Sequence, residues 1–321
     1  MADDPEWAAP SLELLEEYYR KLCNWGRWGP EDERGTANLI TPEKVREAAA
    51  LVRRGVGFSL QLPMDASGPQ RGGLGRVNPI HQMMATGTDH VAGKQDFPNG
   101  LGYADDSLFL VLQGGTQWDA LSHIFRDGQM YNGYGADLVD SSGARRNGVE
   151  NIPTLVTRGV LLDLPRVVGR DHLRPGEAID ADLLDAACAH QRVTVADGDA
   201  LLIRTGDMAR RRTLVGWDGY AGGDAPGLSL LAMPWLHRHG VSAVATDTWG
   251  VEVRPNEISG TFQPLHLIMI VSMGLLVGEI WQLDELAEDC AADGVYEFML
   301  VAPPLVIPGA VGAPSNPQAI K

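Results

Sequence analysis

Leu108-Phe109-Leu110-Val111 is an apolar, β-prone run that leads into Gly114-Gly115 and then into a dense polar cluster. Between Leu112 and His123 the chain sets Gln113, Thr116, Gln117, Asp119 and His123: two amides, a hydroxyl, a carboxylate and an imidazole. Strand ends that present polar groups are a common way for α/β proteins to hold reacting groups on a rigid frame. The glycine pair is expected to let the backbone turn tightly there.

The rest of the chain supplies a frame for such a strand. Ser11 is placed to cap a helix running to about Cys23, and Thr41-Pro42-Glu43 starts a second that ends near Arg54-Gly55. Strands are expected over Gly57–Leu62 and about Ile80–Thr86, joined by long Pro/Gly-rich loops that hold His81 and His90, which read as ordinary loop or core histidines. Gly159–Leu164 reads as a buried strand, and Asp180 caps a helix to about Arg192. Ala200–Gly206 is a strand, Ser229–His239 a helix stopped by Gly240, and Val241–Thr248 a strand. Leu265–Val277 fits strand or helix, because a short apolar run does not distinguish them. Asp284 is expected to cap a helix to about Ala292, and Tyr296–Ile307 to form a last strand.

This alternation predicts an α/β chain with one mixed-sheet domain over residues 1–321. Residues 1–56 form its N-terminal helical extension and 308–321 an extended C-terminal tail. A formal charge of −16 argues against nucleic acid or an anionic membrane as partner. The three scattered cysteines, Cys23, Cys188 and Cys290, support neither a disulfide framework nor a cysteine zinc site, so a reducing cytoplasm is expected. No signal-peptide core opens the chain, and no apolar run is long enough to span a membrane.

No HExxH, GxSxG or phosphate loop is present, and Gly72-Gly73-Leu74-Gly75 and Gly222-Gly223 read as turns. Three polar clusters close apolar strands: Gln113/Gln117/Asp119/His123, Arg204/Thr205/Asp207 and Asp247/Thr248/Glu252. Clusters at strand ends often converge on one pocket. Arg204 with Asp207 also fits a structural ion pair, and Asp247 a loop cap. Trp118, Trp249 and Trp281 flank these groups, either as aromatic walls for a flat substrate or as core.

Gln113-Gly114-Gly115-Thr116-Gln117-Trp118-Asp119, followed by His123, resembles the signature His-x-Gly-Thr-His-x-Asp, then His, of the metal-dependent cyclase family, which includes kynurenine formamidase and isatin hydrolase. Leu202–Gly206, Ala245–Glu252, and Pro264-Leu265-His266 with Gly278-Glu279-Ile280-Trp281 resemble three further elements of that family. The resemblance covers about residues 105–307 and implies a swivelling β/β/α fold, a homodimer or homotetramer, and a small-molecule substrate. It implies hydrolysis, or the reverse ring closure, at a cyclic amide, lactone or related carbonyl, with His123 and Asp119 as catalytic groups.

The chain departs from the signature where both histidines of the first metal triad are glutamine. Imidazole is a strong zinc ligand, whereas an amide oxygen is hard and weak. The remaining set, Asp119, His266 and Glu279 with Gln113 and Gln117 as oxygen donors, suits manganese or magnesium better than zinc. Loss of the metal is the other outcome. The amides would then bind substrate directly, together with Thr116, Trp118 and Trp249. Two further readings stay open. One is metal-independent lactone opening, dehydration or isomerisation by His123 and Asp119. The other is a non-catalytic binding protein on a degenerated cyclase frame.

Overall fold

The computed structural model describes residues 9–321. Its centre is a mixed nine-stranded sheet. In chain order the strands are β1 (Gly57–Ser59), β2 (Gln117–Asp119), β3 (Val156–Asp163), β4 (Ala200–Arg204), β5 (Ala243–Thr246), β6 (Leu276–Glu279), β7 (Glu297–Val301), β8 (Gly312–Pro314) and β9 (Gln318–Ile320). They are arranged β1-β9-β7-β3-β4-β5-β6-β2-β8.

β3, β4, β5 and β6 run parallel, and the others pair antiparallel. The parallel strands are near-continuous apolar runs, because helices and loops cover both faces. Val160–Leu162, Ala200–Ile203 and Ala243–Ala245 are fully buried. Their carboxyl ends bring Asp163, Arg204, Thr246 and Glu279 to one edge of the sheet.

The expected caps form where the sequence places them. Ser11, Thr41 and Asp180 accept the backbone N–H groups of Leu14, Lys44 and Leu183, which opens the helices Leu12–Lys21, Pro42–Ala50 and Ala181–Gln191. Asp284 does not cap. Leu283 holds that position in the helix Asp284–Asp293, because the Asp284 carboxylate is bound by Arg204 Nε at 2.9 Å. The Ser229–His239 segment begins as a 3₁₀ turn, Leu230–Ala232, and becomes helical only over Met233–Arg238.

Leu265–Val277 is both of the things its apolarity allowed. Pro264–His266 is a helical turn that runs into a π-helix, Leu267–Ser272, and β6 follows. Gly274, at φ +65°, breaks the run, and a Cβ there would lie 2.4 Å from the Tyr131 ring.

One expectation changes. The β-prone run Leu108–Val111 is not a strand that leads into the glycines. Asp105–Phe109 instead pairs with Ile80–Ala85 as a two-stranded arm whose side chains are mostly exposed. The tail after residue 307 includes two short strands of the sheet. β8 pairs with β2, and β9 inserts between β1 and β7, because their backbone groups complete the sheet edges. The chain does turn at the glycine pair, where the Gly114 N–H donates to the Val111 carbonyl at 2.8 Å, without a left-handed residue. At Gly114 the need is space, since a Cβ would meet the Val111 carbonyl at 2.9 Å and that of Val77 at 3.2 Å.

Among the described residues no helix is long and apolar enough to cross a membrane.

Candidate active site

β2 and β6 build the centre of the site. Their antiparallel register sets Gln117 opposite Glu279 and Asp119 opposite Val277. Side chains alternate along a strand, so Gln117 and Asp119 share one face and Trp118 points to the other. Gln117 Nε2 donates to Glu279 Oε2 at 2.9 Å and lies 3.4 Å from Asp119 Oδ1. Its own carbonyl oxygen is buried without a partner.

His266 arrives from the turn that opens the π-helix, a distortion often found at functional sites. One ligand atom each from Asp119, His266 and Glu279 falls within a group less than 4.8 Å across. All three residues are buried. His266 Nε2 lies 3.3 Å from Glu279 Oε1, and Nδ1 lies 2.6 Å from Glu252 Oε1. Glu252 also accepts the backbone N–H groups of Leu265 and His266, so it fixes both the ring and the turn that carries it. An imidazole oriented through its second nitrogen by a carboxylate is the usual support of a metal-binding histidine.

The charge balance fits a cation. Asp119, Glu252 and Glu279 are three buried carboxylates around one imidazole. Burial alone would lower the His266 pKa, but hydrogen bonds and charge from Glu252 and Glu279 raise it to about 10. Burial raises Glu279, and the charge of Asp119 adds to that against the pull of His266. The rise at His266 comes from the carboxylates beside it, negative charge that a divalent ion would balance. The oxygen-rich donors and the orphaned Gln117 carbonyl suit a hard cation.

His123 follows β2 in a turn closed by its N–H to the Ala120 carbonyl. Its Nε2 is 3.9 Å from Asp119 Oδ1, and its side chain is 19% exposed, enough for access from solvent. Burial lowers its pKa, with Arg76 and His266 adding to the effect and Asp119 opposing it, so the ring favours the neutral form.

The other sequence-derived residues fall in different places. Trp249 is buried with Leu62, Met208, Trp217, Tyr220 and Ile280, and its indole N–H has no partner. The Arg76 guanidinium stacks 5.1 Å from its ring centre. Gln113 Nε2 is also buried and unpartnered, and it packs at Gly312, where a Cβ would come within 2.7 Å of it. No side-chain hydrogen bond ties Gln113 to the three-residue cluster.

Thr116 and Trp118 are held by backbone partners. The Thr116 hydroxyl donates to the Ile280 carbonyl at 2.5 Å and accepts the Leu62 N–H, so it stitches strands together. Trp118 donates to the Ala302 carbonyl and packs edge-on against Trp281 with ring centres 4.7 Å apart, on the core side of β2.

Of the two remaining strand-end clusters, only Glu252 reaches the site. Arg204 pairs with Asp163 and Asp284, not with Asp207. Asp207 opens a helix and therefore meets Arg210 and Arg211 at i+3 and i+4. Asp247 is the loop cap: its carboxylate accepts the Thr205 N–H and hydroxyl and the Gly206 N–H at 2.7–2.8 Å. The roles of Glu252 and Arg76 were not assigned from sequence. Glu252 lies within a family-like element, whereas Arg76 sits in a loop with no distinguishing signal.

The family model described as "Putative cyclase" matches residues 58–253. A crystal structure described as "a novel cyclase" is 41% identical, with a TM-score of 0.88, and the match covers 94% of this chain and 99% of that one. Isatin hydrolase A from Labrenzia aggregata shares the fold at 17% identity and a TM-score of 0.58, over 85% of this chain and 94% of its own. Isatin hydrolase A from Ralstonia solanacearum does so at 17% identity and a TM-score of 0.59, over 87% and 97%. Comparison with the curated proteins gives no match. With most of its length matched by the family and a 41%-identical cyclase structure covering nearly all of it, the chain belongs to the cyclase family.

Proposed function

We propose that the chain is a hydrolase or cyclase that acts on a cyclic amide, lactone or related carbonyl compound. The observation that carries this reading is the meeting of Asp119, His266 and Glu279 in one buried group, with Glu252 holding the far side of the imidazole. The likeness in fold to isatin hydrolases supports a hydrolytic reaction.

Asp119, His266 and Glu279 would hold a divalent cation, manganese in preference to zinc on the chemistry of these donors. That ion would polarise the substrate carbonyl and bring the pKa of a water molecule toward about 7. His123, in its neutral form, takes the proton from the attacking water and returns it to the leaving nitrogen or oxygen. Gln117 orients the carboxylates through its amide N–H and leaves its carbonyl for substrate or cation. Trp249 offers an unpaired indole N–H and an aromatic wall to a ring.

The test combines metal analysis with turnover. Purified protein should carry a stoichiometric divalent ion. It should lose hydrolysis of a lactone and cyclic-amide panel on chelation and regain it best with manganese. Full activity in metal-free protein would remove the cation from the mechanism. It would leave the second reading, acid/base chemistry by His123 and Asp119, which their 3.9 Å approach favours.

The protein is further proposed to be a homo-oligomer that works in a reducing compartment, which its three free cysteines suit. The arm from Ile80 to Phe109 presents Met83, Met84, Val91, Phe97 and Phe109 to solvent. A two-stranded hairpin without cover is marginal in water, and a second copy of the chain is the cover proposed here. Light scattering should give a multiple of the 34.6 kDa chain mass. A monomer at micromolar concentration would overturn that part.

A further inference from the structure

A cavity of about 500 Å³ opens on the β7 side of the sheet. Three parallel strands, β3, β4 and β5, separate it from β6 and the site above, a spacing of roughly 20 Å. Leu51, Val193, Val295 and Tyr296 give it apolar walls. Four cations also line it: Arg53, Arg54, Arg192 and Lys321.

The acids at the cavity cancel two of these cations, Arg54 and Lys321, and leave Arg53 and Arg192. Asp293 is taken by Arg54 and Lys321, each at 2.8 Å, and Glu297 by Arg158 at 3.2 Å. The Gln191 amide is spent on the Asp163 N–H and the Leu161 carbonyl. Among the described residues, Arg53 and Arg192 have no ion-pair partner, and the Tyr296 hydroxyl has no hydrogen-bond partner. The groups left to meet a ligand are therefore two guanidiniums and one hydroxyl, beside an apolar floor.

Arg192 carries a second signal. It ends the helix Ala181–Gln191 at φ +57°, ψ +42°, the left-handed conformation that favours glycine. For folding alone, an arginine is the strained choice at this position, yet its side chain lines the cavity.

We propose that this cavity binds a small organic anion, a carboxylate with a compact apolar body, through Arg192 and Arg53. Guanidinium forks match a carboxylate in geometry as well as charge. The apolar walls would take the hydrocarbon part, and the Tyr296 hydroxyl would donate to an oxygen.

Calorimetric titration of the full chain with hexanoate tests this, with hexanol and hexylamine as uncharged and cationic controls. Saturable binding of hexanoate alone is expected. Arg192→Gly should weaken it at least tenfold while the melting temperature stays level or rises, because glycine suits the left-handed cap. Adding Arg53→Ala should weaken it further. No saturable binding to the wild-type chain would overturn the proposal. So would binding that survives both substitutions, since the anion would then sit elsewhere.

Discussion

Gln117 and Glu279 face one another across the antiparallel register of β2 and β6, and the Gln117 amide N–H donates to the Glu279 carboxylate at 2.9 Å. A neutral donor thus lies against a buried acid where the resemblance implies an imidazole ligand. The amide covers part of the carboxylate's charge but adds no strong nitrogen donor. On the proposed function, such donors would favour a hard, oxygen-preferring cation.

Replacing that amide should therefore change metal preference. Gln117→His adds a nitrogen ligand beside Asp119, His266 and Glu279. Zinc affinity is expected to rise by about tenfold or more relative to manganese, for about one added ligand's worth of selectivity. Competition against a chromogenic chelator reads the ratio. An unchanged ratio would mean that position 117 does not face the ion.

His123 is expected to act on protons, not on the cation. His123→Ala should lower kcat by about 10²–10⁴-fold, the usual range for loss of a positioned acid or base. Its metal content should match the wild type, because Asp119, His266 and Glu279 form their group without it. A variant that loses both activity and metal would assign His123 to ligation.

Asp247 holds the sheet end together. Asp247→Ala leaves the Thr205 N–H and hydroxyl and the Gly206 N–H buried without an acceptor. Each orphaned donor costs about 1–3 kcal/mol, so a loss of roughly 3 kcal/mol or more is expected in urea unfolding. A loss under about 1 kcal/mol would show that the loop relaxes to find other partners.

Acid stability should depend on His237. Burial, and after it the charge of Arg27, lowers the His237 pKa below its ordinary 6.5. The unfolded chain then binds a proton at a higher pH than the folded one. Stability from this group is complete above the unfolded value and is lost as pH falls through the folded value. The melting temperature should fall less between pH 7 and pH 5 in His237→Gln than in the wild type. Parallel pH curves for the two proteins would rule this out.

The local elements were legible because their causes are local. Ser11, Thr41-Pro42 and Asp180 cap helices from within three residues, and the apolar runs of β3, β4 and β5 announce strands buried on both faces. Where a local signal competed with a distant partner, the sequence misled. Asp284 looks like a cap and is instead held by Arg204, and Arg204 bypasses its near neighbour Asp207 for Asp163. Leu108–Val111 reads as an apolar, β-prone run into the glycines, but Asp105–Phe109 pairs into an exposed arm.

The site divides in the same way. The sequence alone determined that Gln113, Gln117, Asp119 and His123 stand close together in the chain, that glutamine occupies two positions of a ligand motif, and that polar residues close the parallel strands. Only the tertiary structure decided that Asp119, His266 and Glu279 meet, that Glu252 locks the imidazole, and that Thr116 and Trp118 serve the sheet. The reason is geometric. Period-two alternation gives the spacing of side chains along β2, but which face looks onto β6 and the His266 turn depends on pairings between segments far apart in the chain.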